Sequence, residues 1–382
     1  MKKFLAIIAF LGQTTFACLA DDWMSQLDDN AYLSQVSIPG THDSATGEGW
    51  TGFFGELLGP SMGLTQDLTI AQQLDCGVRA FDLRPCVLEN ELVINHGILQ
   101  TQAKFFETLQ QLCQFVTEHP TEFVVVIMRH EIDGDDNSSL WADMMNNCLN
   151  SEDILPHLAN YKREITVADL RGKVLVLSRD KYANKPVGGL ITGWGHQADY
   201  VTGSIKGPEG GPGTLYVQDF YEVMDQMTAK LNGIVKLLDF STKNNVYHNT
   251  RHLVVCVNYA SGYTALASTD GIRDNAAQCN PKIIDYLADE THAGPAGIVF
   301  MDFAGTDTSG SYDVKGLALV NAIISNNQRY SPVKNEESVG ITLPDSHQEA
   351  TESCYDLLGR KQQNQPHRPA IIIRNGRKVV SK

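Results

Sequence analysis

The sequence lacks the features that would place it in several common functional classes. Its 382 residues carry 30 Lys and Arg against 45 Asp and Glu, so a net charge of −15 offers no basic surface for nucleic acid and no long-range attraction to an anionic membrane. The eight cysteines are too few for a disulfide-built scaffold, and none has a zinc-site spacing. The chain has no Gly-x-Ser-x-Gly elbow and no glycine-rich phosphate turn after its first predicted strand. These absences disfavour nucleic-acid-binding proteins, serine esterases and doubly wound nucleotide-binding sheets.

The first 20 residues are predicted to be a signal peptide, so we expect a secreted or outer-surface protein. Two lysines precede an apolar stretch, residues 4–11, which is too short to span a bilayer. The segment Cys18-Leu19-Ala20 is typical of a cleavage site that leaves Asp21 as the mature start. A buried N-terminal helix and lipoprotein processing at Cys18 are the alternatives. No later stretch approaches the length of a transmembrane helix.

Export makes disulfides possible, and seven cysteines remain after this cleavage. Cys76 and Cys86 flank an apparent strand at residues 79–85. The ends of such a strand lie roughly 20 Å apart, whereas a disulfide needs Cα atoms within about 7 Å. We therefore expect no bond between these two cysteines.

Strand-like and helix-like segments alternate along the chain and predict an α/β fold. The strand-like segments are apolar and β-branched, which is typical of parallel strands buried on both faces. The predicted strands are 35–39, 78–83, 92–95, 123–128, 174–178, 215–218, 253–258 and 298–302, and the predicted helices are 68–74, 102–117, 140–149, 223–238, 281–289 and 315–325. This pattern favours a TIM-type (β/α) barrel over residues 21–330, with a doubly wound open sheet as the alternative.

The composition changes near the end of the chain. Residues 331–349 are polar and predicted to be a linker, and residues 359–382 contain seven Lys and Arg but no Asp or Glu. Asn375-Gly376 between two apolar runs predicts a β-hairpin. Residues 350–382 carry Tyr355-x-x-x-Gly359-Arg and a final Asn-Gly-Arg-Lys-Val, and they resemble the C-terminal sorting domain of proteins exported by the type IX secretion system. A basic, partly disordered end is the alternative.

Polar residues follow most of the predicted strands. Because the C-terminal ends of barrel strands meet on one face, seven polar strand ends predict a catalytic face there. They are His42-Asp43, Asp82-Leu-Arg84, His96, Arg129-His-Glu131, Arg179-Asp180, Asp219-Phe-Tyr221 and Asp302. Two imidazoles suit a general base and a general acid, and an arginine suits a pair of phosphoryl oxygens. Together these groups point to phosphodiester cleavage.

Four segments carry a resemblance to a known family: Ser37-Ile-Pro-Gly-Thr-His-Asp-Ser44, Gly63-Leu-Thr-Gln66, Gly77-Val-Arg-Ala-Phe-Asp-Leu-Arg84 and His96-Gly97. Over residues 31–328 the chain resembles bacterial phosphatidylinositol-specific phospholipase C. The resemblance implies a distorted TIM-type barrel that needs no metal or other cofactor. It also implies phosphatidylinositol in membranes as the substrate, with glycosylphosphatidylinositol anchors as a further substrate left open, and we expect a monomer that contacts the membrane peripherally.

The resemblance also implies roles for individual residues. His42 is expected to act as general base on the inositol 2-hydroxyl, with Asp302 as its buried partner. His96, helped by Asp43, is expected to protonate the departing diacylglycerol oxygen. Arg84 is expected to stabilise the phosphoryl oxygens. The implied products are diacylglycerol and inositol 1,2-cyclic phosphate.

Further positions match the family's orienting and inositol-binding residues. Asp82 is expected to orient the cluster around Arg84. The family usually has a lysine where this chain has Arg129 or His130, and the register there is open by one or two residues. The other positions that match inositol-binding residues are Arg179, Asp219 and Tyr221.

Residues 49–59 are expected to form a membrane-contacting loop after the first strand. They contain Trp50, Phe53 and Phe54 among glycines, an unusual composition for a solvated loop. Trp and Phe favour the bilayer interface. Side chains that fold back as a lid, or that fill the top of the barrel, are the alternative.

Two other functions remain as alternatives. A glycerophosphodiester phosphodiesterase also uses paired histidines on such a barrel, but it depends on a divalent metal held by acidic residues. Here Arg84 stands where such an enzyme would prefer another acid. A non-catalytic surface protein that binds lipid or glycan would be expected to have lost one of the central residues, and none is lost.

Overall fold

The computed structural model describes residues 22–246 and 253–330, and four short strands nearer the C-terminus. The chain divides into two compact units, residues 1–334 and 335–382, which are described separately. The predicted signal peptide and the predicted linker at 331–349 lie outside the described residues.

Nine strands of the first unit close into a barrel. Their order is β6-β2-β1-β13-β12-β11-β10-β9-β8, and pairing of β8 with β6 closes the ring. The closed sheet confirms the predicted TIM-type barrel and excludes the open doubly wound sheet. The strands in the described part of this unit are β1 Ile38–Thr41, β2 Ala80–Leu83, β3 Pro85–Leu88, β4 Glu91–His96, β5 Leu99–Lys104, β6 Val124–Met128, β7 Leu158–Ala159, β8 Val174–Ser178, β9 Gly189–Thr192, β10 Val201–Lys206, β11 Gly213–Gln218, β12 Val254–Tyr259, β13 Ile298–Met301, β14 Thr308–Ser309 and β15 Tyr312–Asp313.

The barrel is distorted by one strand of opposite direction. β10 runs antiparallel to both β9 and β11, whereas the other pairs around the ring are parallel. Neither β9 nor β10 was predicted, because half-buried and exposed positions leave these strands no continuous apolar run. In contrast, β6 and β8 are buried at every position, and their predicted bounds differ from the observed ones by at most one residue.

The predicted third strand, 92–95, lies outside the barrel, which corrects its expected place there. It belongs to β4, the centre of a three-stranded antiparallel sheet of β3, β4 and β5. This sheet is inserted between barrel strands β2 and β6. The apparent strand at 79–85 also divides, because its last residues pass into β3. Cys86 in β3 carries a free thiol, so it forms no bond with Cys76.

Helices pack around the barrel, and α1 and α7 differ most from prediction. Residues 49–59 were expected as a loop, but α1 forms there; α7 begins twelve residues before the predicted 281, because Pro281 imitates a helix start and instead lies inside the helix. In α1, added Cβ atoms at Gly55 and Gly59 would lie 2.5 Å from the Gln100 carbonyl and 2.2 Å from the Trp50 ring, so glycine permits this close packing. The helices are α1 Gly52–Met62, α2 Ile70–Asp75, α3 Phe105–Glu118, α4 Trp141–Leu149, α5 Val167–Leu170, α6 Met227–Asn244, α7 Thr269–Ala288 and α8 Gly316–Asn326.

The second unit contains a small antiparallel sheet in the order β17-β16-β18-β19. Residues 374 and 377 pair across the turn between β18 and β19, which confirms the hairpin predicted at Asn375-Gly376. The strands are β16 Cys354–Tyr355, β17 Lys361–Gln362, β18 Ala370–Arg374 and β19 Arg377–Ser381. Within the described residues, no helix has the length and apolar character needed to cross a membrane.

Candidate active site

A cavity of about 280 Å³ opens at the C-terminal ends of the barrel strands. It brings together residues from six of the seven polar strand ends, while Asp302 lies directly behind His42. Hollows of about 450 and 480 Å³ beside β4 and β5 contain neither histidine nor arginine. The cavity is lined by His42, Arg84, His96, Gly97, Arg129, Glu131, Asp133, Arg179, His196, Asp219, Tyr221, Gly262, Tyr263 and Ile272.

His42 follows β1 and is held between two carboxylates. Its Nδ1 lies 2.9 Å from Asp302 Oδ1, and its Nε2 lies 3.3 Å from Asp43 Oδ2. Burial disfavours the imidazolium, but Asp43 and Asp302 outweigh burial and raise the pKa of His42 to about 9. Arg84 Nη2 also lies 2.9 Å from Nε2, a contact in which a neutral imidazole accepts. The Asp43 contact suits the protonated ring and the Arg84 contact suits the neutral ring, and a general base must adopt both states in turn.

Arg84 lies at the centre of the acidic groups. Its Nε is 2.5 Å from Asp43 Oδ1, and its two other nitrogens are 3.5 Å from Asp82 and 3.6 Å from Glu131. Burial opposes ionisation of Asp43, but Arg84 and the two histidines hold the pKa of Asp43 below its ordinary value. The guanidinium therefore stays charged and oriented at the wall of the cavity.

His96 is the last residue of β4 and faces His42 across the cavity, with 6.5 Å between ring centroids. Its Nδ1 lies 2.8 Å from the carbonyl of Gly63, which fixes the ring. Its Nε2 lies 3.5 Å from Asp43 Oδ2. Asp43 therefore contacts both histidines and Arg84, although its neighbours come from different structural elements.

Glu131 is a member of the cavity wall that was named only as part of a strand end. It is buried, and this burial raises its pKa although Arg84 opposes the rise. Glu131 is the third polar residue after β6, and nothing in the sequence distinguishes it from a solvent-exposed loop residue. Its place beside Arg84 follows from the turn after β6, where the Glu131 N–H donates to Pro85 O.

A second group of side chains lines the opposite side of the cavity. Arg179 stacks over the Trp194 ring at 4.0 Å, and Trp194 Nε1 donates to Asp219 Oδ2 at 2.7 Å. His196 Nδ1 lies 3.0 Å from the same carboxylate oxygen and packs edge-on against Tyr221. Trp194 and His196 were missed, because they follow a strand that has no continuous apolar run.

Arg129 and His130, which follow β6, have different surroundings. Arg129 lines the cavity, whereas His130 turns away and stacks on Trp141 with its Nε2 2.5 Å from Asp135. The backbone N–H of His130 donates to Asp180. Of the two residues, Arg129 is therefore the one that faces the cavity.

The segment 63–66 clamps the backbone that carries the catalytic candidates. Gln66 Nε2 donates to the carbonyls of His42 and Met301, at 3.0 and 2.9 Å. Thr65 Oγ1 lies 3.1 Å from the carbonyls of His42 and Asp43. Asp43 has a φ of 42°, a left-handed conformation that is uncommon outside glycine, and these bonds help to hold it.

The residues expected to contact membrane do not all lie at the surface. Phe53, Phe54 and Leu57 of α1 are 75%, 51% and 62% exposed. Trp50 is only 8% exposed, because it packs under α1 against Gly59, which corrects its expected place on the contacting surface. α1 ends next to Gly63, which contacts His96, so the C-terminal end of this helix lies near the cavity.

One group of side chains within the described residues has the spacing of a metal site. Ligand atoms of His42, Asp43 and Asp82 lie within 4.8 Å of one another. Arg84 contacts each of these three residues, at 2.9, 2.5 and 3.5 Å. A guanidinium thus fills the position in which a cation would meet these ligands.

Comparison with known proteins finds relatives with a similar sequence. Residues 36–180 match the family model of the phosphatidylinositol-specific phospholipase C X domain. The 1-phosphatidylinositol phosphodiesterase of Staphylococcus aureus strain Newman is 26% identical over 325 residues, which cover 81% of this chain and 94% of that protein. The protein of the same name from Listeria monocytogenes is 30% identical over 169 residues, 43% of this chain and 50% of that protein.

Solved structures show the same fold. Phosphatidylinositol-specific phospholipase C from Staphylococcus aureus superposes with a TM-score of 0.64 at 21% identity, covering 81% of this chain and 98% of that chain. The Listeria monocytogenes enzyme gives a TM-score of 0.60 at 24% identity, with the same coverage.

The closed barrel, with two histidines and an arginine at its C-terminal face, defines an enzyme of the barrel phosphodiesterase class. Within that class, residues 36–180 match the X domain of phosphatidylinositol-specific phospholipase C, and 81% of the chain is similar to a bacterial 1-phosphatidylinositol phosphodiesterase.

Proposed function

We propose that the protein cleaves phosphatidylinositol between phosphorus and the glycerol oxygen, yielding diacylglycerol and inositol 1,2-cyclic phosphate. The observation that carries the proposal is the arrangement of His42 and His96 on either side of Asp43 and Arg84 in one cavity. Base and acid face each other there with the Arg84 guanidinium beside the base, an arrangement that suits in-line displacement at phosphorus.

His42 acts as the general base. Asp302 accepts from Nδ1 and leaves Nε2 facing the cavity, so Nε2 takes the proton of the inositol 2-hydroxyl. The 2-oxygen then forms a bond to phosphorus while the bond from phosphorus to the glycerol oxygen breaks. Because nucleophile and phosphate belong to one molecule, their effective concentration is high and no protein nucleophile is needed.

His96 acts as the general acid. Its Nδ1–H donates to Gly63 O, so the Nε2 proton is the one delivered to the departing glycerol oxygen. Asp43, 3.5 Å from Nε2, stabilises the protonated ring before transfer. One proton is taken by His42 and one is given by His96, so the enzyme as a whole gains none.

Arg84 stabilises the negative charge on the phosphoryl oxygens, and Asp82 orients the guanidinium from behind. The proposed reaction needs no metal, since this guanidinium already meets the carboxylates that a cation would use.

We assign the inositol ring to the opposite wall. Asp219, Arg179 and Arg129 offer charged groups to the ring hydroxyls, and Tyr221 offers an aromatic face. His196, paired with Asp219, adds a further polar group at the rim. Free phosphatidylinositol and the inositol of a glycosylated anchor both present this ring.

The rim of the cavity is proposed to dock on the lipid surface. Besides Phe53, Phe54 and Leu57, four more exposed apolar residues stand next to residues that line the cavity or close by in sequence: Ile98, Ile132, Met224 and Leu266. Short-range apolar contact at this ring compensates for the missing long-range attraction of an acidic protein. Export through the predicted signal peptide would bring the enzyme to such a surface.

The proposed reaction is tested by phosphorus NMR of the protein with phosphatidylinositol, with and without excess EDTA. We expect a cyclic phosphodiester signal to grow at equal rates in both samples. An acyclic inositol phosphate as first product, or abolition by EDTA, would favour the metal-dependent glycerophosphodiesterase alternative. Complete inactivity would favour the non-catalytic binder.

A further inference from the structure

Lys230 is a fully buried lysine that has no place in the mechanism above. It lies in the first turn of α6, beneath the side of the cavity assigned to inositol. Its Nζ donates to three backbone carbonyls, those of Phe220 at 2.8 Å, Tyr259 at 2.6 Å and Ser261 at 2.7 Å. An ammonium group has three N–H donors, so all of them are used.

Two features make this position unfavourable for a lysine. Burial disfavours the charged form and lowers the pKa of Lys230, although Cys279, Asp219 and Asp302 oppose this shift. A cation in the first turn of a helix also meets the positive end of the helix dipole. A residue that violates local preference in this way is commonly kept for a function.

The three carbonyls belong to two segments that line the cavity. Phe220 lies between Asp219 and Tyr221, whereas Tyr259 and Ser261 precede Gly262 and Tyr263. The segments also contact each other directly, because Tyr263 N–H donates to Tyr221 O at 2.9 Å. A single ammonium group therefore ties together two loops from neighbouring strands.

One of these bonds extends to the catalytic dyad. Lys230 donates to the Ser261 carbonyl, which belongs to the same peptide unit as the Gly262 N–H. This N–H donates to Asp302 Oδ2 at 3.3 Å, and Asp302 Oδ1 contacts His42. Lys230 thus fixes the peptide that in turn holds the carboxylate behind His42.

We propose that Lys230 is a positioning residue, which holds the Asp219–Tyr221 segment and the Gly262 peptide in the geometry that inositol binding and the His42–Asp302 pair require. The inference rests on the proposed function, and it assigns Lys230 no contact with substrate.

The test compares Lys230→Met, which keeps the length and removes every donor, with Lys230→Gln, which keeps two donors. Lys243→Met is the matched control, since Lys243 lies exposed in the last turn of the same helix. The measurements are the thermal unfolding midpoint, kcat and KM on a monomeric short-chain phosphatidylinositol, and calorimetric binding of myo-inositol alone.

We expect KM to rise about tenfold or more in Lys230→Met and kcat to fall, because displacements on the order of 1 Å change rates by up to about 100-fold. Inositol binding should weaken in parallel. Lys230→Gln should recover part of both losses, and Lys243→Met should match the wild type. Tyr259 O keeps Gln218 as a donor in all variants, which favours folding.

Unchanged KM and inositol affinity in folded Lys230→Met would overturn the proposal, even if its unfolding midpoint falls. If Lys230→Met does not fold, KM and inositol affinity are compared with the wild type in Lys230→Gln instead. Failure of both variants to fold at 10 °C would assign Lys230 to stability alone and would also overturn the proposal. A wild-type protein that binds myo-inositol in a Lys230-dependent way but cleaves no phosphatidylinositol would overturn only the proposed reaction.

Discussion

At the scale of single residues, Asp302 sets the proton affinity of His42. Because Asp43 and Asp302 raise the pKa of His42 to about 9, the ring of the free enzyme is largely protonated at neutral pH. A general base works only when unprotonated and the acid His96 only when protonated, so kcat/KM should follow a bell-shaped pH profile with one limb near pH 9 that reports His42. In Asp302→Asn one of the raising carboxylates is gone, and this limb should move to lower pH while the maximal rate falls. Initial rates on a soluble substrate from pH 5 to 10 measure both effects; a limb that stays in place would show that Asp302 does not act on His42.

The acid and the base should be separately indispensable on the natural substrate. We expect His42→Ala and His96→Ala each to lower turnover of phosphatidylinositol by about 10² to 10⁴, the range for one acid–base group. Circular dichroism should remain that of the wild type, since both side chains lie at the cavity rather than in the core. Retention of more than about a tenth of the activity by either folded variant would refute its assignment.

No other cationic side chain should be able to replace Arg84. Arg84→Lys keeps a positive charge but loses the fork that contacts Asp43, Asp82 and Glu131 together. We expect a loss of about 10²-fold or more in kcat, comparable to removal of one oxyanion donor. Steady-state assays with and without added calcium check this, and restoration of Arg84→Lys by calcium would show that a metal can take the place of the fork.

At the scale of elements, α1 provides the clearest test of membrane contact. We expect Phe53→Ala, Phe54→Ala and Leu57→Ala combined to weaken binding to phosphatidylinositol vesicles about tenfold or more, because large exposed apolar side chains are removed. Turnover of a monomeric short-chain substrate should be nearly unchanged. Leu155→Ala, also exposed but beyond α4, is the control. Equal losses on both substrates would mean that α1 supports the cavity instead.

The elements also show how far the sequence alone could lead. Strands buried on both faces, such as β6 and β8, were predicted nearly to the residue, because burial leaves an apolar run. β9 and β10 escaped prediction since half-buried and exposed residues interrupt both strands. α1 was missed because its glycines, which suggest a loop, serve close packing on Gln100 and Trp50.

The predicted site residues were found through their position after apolar strands. His42, Arg84, Arg129, Arg179 and Asp219 share one cavity for this reason. His196 and Trp194 follow β9, whose pattern is weak, so no such argument reached them. Trp50 was misplaced, because composition indicates what a segment contains and not which side chains its fold buries.

At the scale of the whole molecule, charge divides along the chain. Residues 21–358 hold 21 Lys and Arg against 45 Asp and Glu, whereas residues 359–382 hold seven Lys and Arg alone. We propose that the second unit serves localisation and not catalysis. A protein of residues 21–331 should therefore fold and retain wild-type kcat on a soluble substrate, as measured by circular dichroism and initial rates. Failure to fold would show that the barrel depends on the segment after residue 331.

The three-stranded sheet of β3, β4 and β5 places the two halves of the proposed proton transfer on separate supports. The barrel itself holds His42 and Arg84, while the inserted sheet holds His96. The residues proposed to promote attack at phosphorus are therefore held by the barrel, and the residue proposed to protonate the departing alcohol is held by the inserted sheet. A phosphodiester whose leaving group is already a stable anion needs no proton from His96. The contribution of the inserted sheet to the rate therefore grows with the basicity of the leaving group. Substitutions in β4 and β5 can thus change which leaving groups the enzyme accepts, while the barrel strands stay the same.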